Sequence, residues 1–275
     1  MVITVLAENR ACGPVSCAHG LSLHIETGSR RILFDFGPDG DLLLRNAEAL
    51  GVDLARVDLA FLSHGHDDHS GGLEAFIRHN DHAPVYLHRL AFAPHFSRRQ
   101  EGMKRISPDP TLLTRYASRL RLTEGIFSPR EGLTLFSDPE EGELSLGSNG
   151  TLYEQAGDSL IPDRFLHEQD LLIREGEKLV LLGGCAHRGI VNILRRGEAL
   201  AGRAPDAVFS GFHLTNPGLK RDEPEDFVRR VGAALARFPS RYFTGHCTGE
   251  GPYRILKELL GDRLEYLVCG LRFAV

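Results

Sequence analysis

Short apolar runs separated by polar, glycine-containing turns dominate the chain. Residues 2–7, 20–26 and 31–37 have this character and read as strands; the third, Arg31-Ile32-Leu33-Phe34-Asp35-Phe36-Gly37, ends in an acid and a glycine. Residues 39–50 carry Leu42, Leu43 and Leu50 on one face at helical spacing. The apolar run 57–62 predicts a buried strand, and Leu73, Phe76 and Ile77 predict a helix that Ser70 N-caps. Another strand follows at 85–88. Further on, Asp170-Leu171-Leu172-Ile173 and Lys178-Leu179-Val180-Leu181-Leu182 form strands around the turn Glu175-Gly176-Glu177, and a helix opens at Gly189. A strand at 207–210, an amphipathic helix over 223–238, a strand at 241–244, a helix over 251–260 and a final strand over 264–275 complete the pattern. Strands alternating with helices predict an α/β fold.

Between 89 and 137 strand periodicity fades. The stretch contains Pro94, Pro108, Pro110 and Pro129 and the cations Arg89, Arg98, Arg99, Lys104 and Arg105, with a helical reading for 112–122. It reads as a cap inserted into a single domain, bringing cations to an anionic substrate or simply forming a solvated basic face. Residues 141–150, acidic and rich in glycine, read as a loop.

The densest chemistry is Ser63-His64-Gly65-His66-Asp67-Asp68-His69-Ser70-Gly71-Gly72, on the turn between a strand and a helix. Residues two apart in an extended segment point the same way, so His64 and His66 can grip one metal ion. Asp68 and His69, where the chain turns into the helix, aim at a second position nearby. Two ions so placed can clamp and activate a water. The second half repeats the design, since the strand 178–182 ends at Gly183-Gly184-Cys185-Ala186-His187 and a helix follows. Arg188 and the start of that helix offer positive charge and backbone N–H groups to an anion such as a substrate phosphate.

Composition narrows the partners. The net charge of −5 disfavours non-specific nucleic-acid binding. Apolar runs are too short to span a bilayer, and the N-terminal segment reads as a strand and not a signal peptide. Five irregularly spaced cysteines argue against a disulfide framework and fit a reducing, cytoplasmic setting.

The stretch 63–72, together with Glu8-Asn9, His19-Gly20-Leu21-Ser22, residues 184–192, Gly211-Phe212-His213-Leu214 and Gly245-His246-Cys247-Thr248-Gly249, resembles the metallo-β-lactamase superfamily. Within it, these segments resemble the branch named after an archaeal dihydropterin–aminobenzene ribofuranosyl phosphate synthase. The resemblance implies a four-layer αββα sandwich with the site along one edge. It implies two divalent ions, zinc first, with iron or manganese as alternatives. By the same resemblance Asp35 braces the metal loop, His19 contacts substrate or supports the site, and His246 joins Asp68 and His69 on the second ion. The superfamily's bridging aspartate would stand where this chain has Cys185, and a thiolate can bridge borderline ions. The third nitrogen falls to His187, with His167 as the alternative.

The expected function is therefore hydrolysis of a small, anionic, phosphate-bearing substrate by metal-activated water, with Asp68 catalytic and His213 as proton donor or substrate orienter. His19 and Arg188 complete the expected substrate contacts. A pterin-type transferase is the alternative, and a non-catalytic metal or redox sensor using Cys185, Cys247 and Cys269 is a reading of another class.

Overall fold

In the computed structural model the apolar runs become strands of two mixed sheets. Residues 1–139, 142, 144–216 and 218–275 are described; Glu141 and Glu143, within the expected acidic loop, lie outside the described residues. In chain order the first elements are β1 (Val2–Ala7), β2 (Ser22–Glu26), β3 (Arg31–Phe34), α1 (Gly40–Ala49), β4 (Leu59–Leu62), α2 (Asp67–Ser70), α3 (Leu73–His79) and β5 (Val85–His88). Next come β6 (His95–Arg99), β7 (Gly102–Arg105), α4 (Thr111–Arg115), β8 (Leu120–Thr123), β9 (Ile126–Arg130) and β10 (Leu133–Phe136). Then β11 (Leu152–Ala156), β12 (Ser159–Pro162), β13 (Asp170–Glu175), β14 (Lys178–Leu182), α5 (Ile190–Ala201) and β15 (Ala207–Phe209) follow. The chain continues through β16 (Thr215–Asn216), β17 (Arg221–Asp222), α6 (Glu225–Leu235), β18 (Arg241–Thr244), α7 (Glu250–Leu260), β19 (Leu264–Tyr266) and β20 (Arg272–Ala274).

Two compact units result. The first comprises Met1–Ala93, Ile106–Glu124 and Leu267–Val275. Its sheet runs β20-β1-β2-β3-β4-β5-β8, antiparallel from β20 to β3 and parallel from β3 to β8. Every residue of β4 is buried, as parallel strands require. One face of β3, β4 and β5 packs through Leu33, Ala60, Leu62, Val85 and Leu87 into a core with Leu43 of α1 and Leu73 and Phe76 of α3. Asp39 sets the start of α1 by accepting the Leu42 N–H at 2.8 Å, a cap worth about 1 kcal/mol.

The second unit comprises Pro94–Arg105 and Gly125–Tyr266. Its main sheet runs β19-β18-β15-β14-β13-β10-β9, parallel from β19 to β14 and antiparallel beyond. Leu181, Val208 and Tyr242 pack against Ile190, Leu194, Val231 and Leu256 of helices α5, α6 and α7. A smaller sheet, β12-β11-β6-β7, and the pair β16-β17 belong to the same unit.

Several expectations need revising. The stretch 89–137 contributes strands to three sheets: β8 pairs with β5, β9 and β10 join the second sheet, and β6 and β7 enter the small sheet. Helix in the 112–122 window stops at Arg115, and β8 begins at Leu120. Residues 264–275 form two strands, β19 and β20, in different sheets. Ser70 is not an N-cap: it closes α2 by donating from Oγ to the His66 carbonyl at 2.9 Å, and Gly72 occupies the cap position of α3.

Candidate metal centre

In the first unit the site grows from the ends of β3 and β4. Asp35 follows β3, is fully buried and adopts φ 60°, a left-handed conformation costly for a non-glycine residue. Its carboxylate holds the turn after β4. Oδ1 accepts the Ser63 N–H, and Oδ2 accepts both the Ser63 O–H and His69 Nδ1, each at 2.7 Å.

These bonds fix two tautomers. Because the Ser63 proton points to Asp35, Ser63 Oγ can only accept from His64 Nδ1, 2.9 Å away. His64 therefore carries its proton on Nδ1 and its lone pair on Nε2. His69 likewise donates from Nδ1 to the acceptor-only carboxylate and keeps its lone pair on Nε2. This is the arrangement by which a carboxylate orients metal-ligating histidines.

Ligand atoms of His64, Asp68 and His69 lie within 4.8 Å of one another. The His64 ring sits 4.5 Å from that of His66 and 4.2 Å from that of His69. Asp68 keeps partial exposure, and its Oδ2 stands 3.3 Å from Nε2 of the more exposed His19. The turn is so tight that a Cβ on Gly65 would meet the Ala91 carbonyl oxygen at 1.9 Å.

The second unit presents its donors at the C-terminal ends of β14, β15 and β18, three neighbouring parallel strands. That edge is where open α/β sheets build sites. Cys185 and His187 follow β14, His213 follows β15, and His246 and Cys247 follow β18; all five are buried. Ala186, His213 and His246 all have positive φ, so backbone strain gathers in these loops.

His187 is oriented like the first-unit histidines. Asn149 donates from Nδ2 to the His187 carbonyl at 2.8 Å, which turns its Oδ1 toward His187 Nδ1, 3.0 Å away. Nδ1 therefore bears the proton, and Nε2 keeps its lone pair. The ring stacks on Phe165 at 4.5 Å. Glu168 accepts the N–H groups of His187 and Arg188 at 2.7 and 2.9 Å, and burial pushes its carboxyl up to about 7 against those bonds. Burial also works against ionisation of Cys247, yet the Cys185 side chain and the imidazoles of His246 and His213 hold its thiol well below the ordinary range.

Other candidate residues sit elsewhere. His167 directs Nε2 at Asp163 Oδ2, 3.3 Å away, and the same oxygen bonds His95 Nδ1 at 3.0 Å. Burial and this carboxylate engage His167 in a closed His–Asp–His network, while His187 accompanies Cys185. Arg188 gives its guanidinium to the carbonyls of Ser137 and Pro139 at 3.1 and 2.8 Å. Asn149 and Glu168 escaped the sequence reading of the site, and neither carried a local signal. Ser63 entered that reading only as part of the stretch 63–72, and Cys247 only as a residue of the sensor alternative.

The donor sets suit a divalent ion: imidazole nitrogens with fixed tautomers, a carboxylate and thiols are zinc-type ligands. No helix among the described residues is long and apolar enough to cross a membrane.

Comparison with known proteins agrees with this chemistry. Residues 17–246 match the model of the metallo-beta-lactamase superfamily. The chain is 29% identical to the 7,8-dihydropterin-6-methyl-4-(beta-D-ribofuranosyl)-aminobenzene-5'-phosphate synthase of Methanocaldococcus jannaschii, over 98% of this chain and 94% of the relative. Among solved structures it is similar to Tm1679, described as a metal-dependent hydrolase of the beta-lactamase superfamily. That likeness has 26% identity and a TM-score of 0.83 and covers 100% of this chain and 99% of the other. Zinc-bound PqqB from Methylobacterium extorquens, 16% identical with a TM-score of 0.56 over the full length of both chains, shares the fold. By its sequence match and its α/β architecture, the chain belongs to the metallo-β-lactamase superfamily.

Proposed function

We propose that the protein is a metal-dependent hydrolase of a small, anionic, phosphate-bearing substrate. Donors for its divalent ions, zinc first, are His64, His66, Asp68 and His69 in the first unit and Cys185, His187 and His246 in the second. The observation that carries this reading is the Asp35 carboxylate, which sets His64 and His69 in the tautomers that present Nε2. A buried carboxylate with three polar hydrogens converging on it, in a backbone conformation that opposes it, fits a ligand-orienting role. Bound ions supply Lewis acidity, activating water and stabilising developing negative charge. Asp68, partly exposed and beside His19, takes the proton released by the attacking water. His19 then contacts the substrate from the same side. The relative's name, a 5'-phosphate synthase, supports a phosphate-bearing substrate.

The same relative favours a second reading, condensation of a dihydropterin with an aminobenzene ribofuranosyl phosphate. One experiment separates the two. The purified protein is incubated with phosphodiesters and, in parallel, with the two condensation substrates, each with and without chelator. His64→Ala and His69→Ala are assayed alongside for bound metal. Chelator-sensitive phosphodiester turnover, and loss of metal in both variants, is expected. Condensation without phosphodiester turnover would replace the hydrolase reading with the transferase. Full metal content in both variants would remove the metal assignment itself.

A further inference from the structure

Three loops of the second unit converge on a set of donors that the reading above uses only in part. Cys185, His213 and Cys247 come from the loops after β14, β15 and β18. Their ligand atoms lie within 4.8 Å of one another, and each residue is at most 4% exposed. Neither ring nitrogen of His213 meets a hydrogen-bond partner of acceptable geometry among the described residues, although both are buried. A buried imidazole is normally satisfied at one nitrogen at least, so this ring, beside the Cys247 thiol but without a well-formed hydrogen bond to it, has coordinating capacity to spare.

The loops are tied to one another in pairs. Gly211 N–H donates to the Gly184 carbonyl at 2.8 Å, and Phe212 N–H to Thr248 Oγ1 at 2.9 Å. Cys247 Sγ lies 3.6 Å from the Cys185 carbonyl oxygen. Gly211 makes room for that thiol: a Cβ there would stand 2.5 Å from Cys247 Sγ. Zinc–sulfur bonds of about 2.3 Å and zinc–nitrogen bonds of about 2.0 Å put tetrahedral ligand atoms somewhat under 4 Å apart. Ligand atoms within 4.8 Å of one another are compatible with that geometry once the side chains draw in around an ion.

We infer that Cys185, His213 and Cys247 together ligate one thiophilic divalent ion. The inference rests on the metal-dependent reading, with Cys185 a ligand in both. It adds Cys247 as a second thiolate and makes His213 a ligand instead of a proton donor. Two thiolates and one imidazole select zinc or cobalt over magnesium or calcium, and leave a fourth position for water or substrate.

The test uses full-length protein loaded with Co(II), whose thiolate-to-metal absorption reports bonded sulfur directly. Wild type is expected to show a band that falls by about half in Cys247→Ser, as one of two thiolates is lost. His213→Gln should keep the band and shift the visible ligand-field absorption. Cys269→Ser, a buried thiol of the other unit, serves as control and should match wild type. Alkylation of wild type with and without metal, read by mass spectrometry, needs no variant: metal should protect both Cys185 and Cys247. An unchanged band in Cys247→Ser, or protection of Cys185 alone, overturns the inference. Failure of the underlying reading looks different: cobalt uptake would be absent in wild type, or unaffected in His64→Ala.

Discussion

Asparagine at position 35 should harm metal binding more than alanine, although asparagine is nearly the same shape as aspartate. The wild-type carboxylate accepts three hydrogen bonds of 2.7 Å, two of them at Oδ2. In Asp35→Asn, the amide oxygen retains the Ser63 N–H while Nδ2 replaces Oδ2. That nitrogen donates to Ser63 Oγ, whose own proton must turn toward His64 Nδ1. It also faces His69 Nδ1, which becomes an acceptor. Both imidazoles then carry their proton on Nε2, the nitrogen required for coordination. Asp35→Ala instead removes the acceptors and leaves each histidine to choose its tautomer. Loss of such an orienting partner lowers metal affinity about 10–100-fold, and Asp35→Asn should reach the upper end, equivalent to about 3 kcal/mol. Asp35→Ala should bind metal better than Asp35→Asn but be less stable without metal, because each buried donor left unsatisfied costs about 1–3 kcal/mol. Competition with a chromophoric chelator measures the affinities, and nitrogen-15 NMR of the imidazoles reads the tautomers. Metal binding by Asp35→Asn as tight as wild type, or tighter than by Asp35→Ala, would refute the tautomer argument.

Cys185→Ser should deplete one ion and Cys185→Asp restore binding, as metal analysis under reducing conditions would read; unchanged stoichiometry in Cys185→Ser would make this thiol a packing residue. Gly65→Ala should lower the denaturation midpoint by the equivalent of about 1–3 kcal/mol, because the 1.9 Å clash is with the Ala91 backbone and no rotamer relieves it; an unshifted midpoint would count against the packing described. His24, in β2, is buried with neither ring nitrogen hydrogen-bonded among the described residues, and burial lowers its pKa below 6.5. The unfolded chain therefore takes up this proton first, and the stability held above pH 6.5 is lost as pH falls toward the folded-state value. His24→Leu should flatten that decline in urea titrations of metal-free protein; parallel pH profiles for the two proteins would argue against it.

The sequence exposed the hub at 63–72 because its donors are contiguous and its flanking strand is wholly apolar. Cys185 and His187 were legible for the same reason. The network around Asp35 was not fully legible, since Ser63 and His69 reach it from 28 and 34 residues away. The pairing of Cys185, His213 and Cys247 depends on three strand ends becoming neighbours, and no local spacing encodes that. The strands within 89–137 were hidden by their surroundings. All of β7 is exposed, and β9 buries only Pro129, so neither shows an alternating apolar face. The single strand expected over 264–275 is interrupted at Gly270, where φ is 97°.

That interruption has a bearing on how the chain is made. The last strand leaves β19 behind and pairs with the first, setting Val2 opposite Ala274 and Thr4 opposite Arg272. During synthesis β1 emerges before its β20 partner by roughly 270 residues, a wait on the order of tens of seconds at about 5–20 residues per second. Throughout that interval one side of β1 is an open edge bearing Val2, Ile3 and Val5, the kind of template on which nascent chains associate. A ribosome-bound intermediate of this protein should therefore be a client for chaperones that shield strand edges, and it should be relieved of them only when β20 arrives.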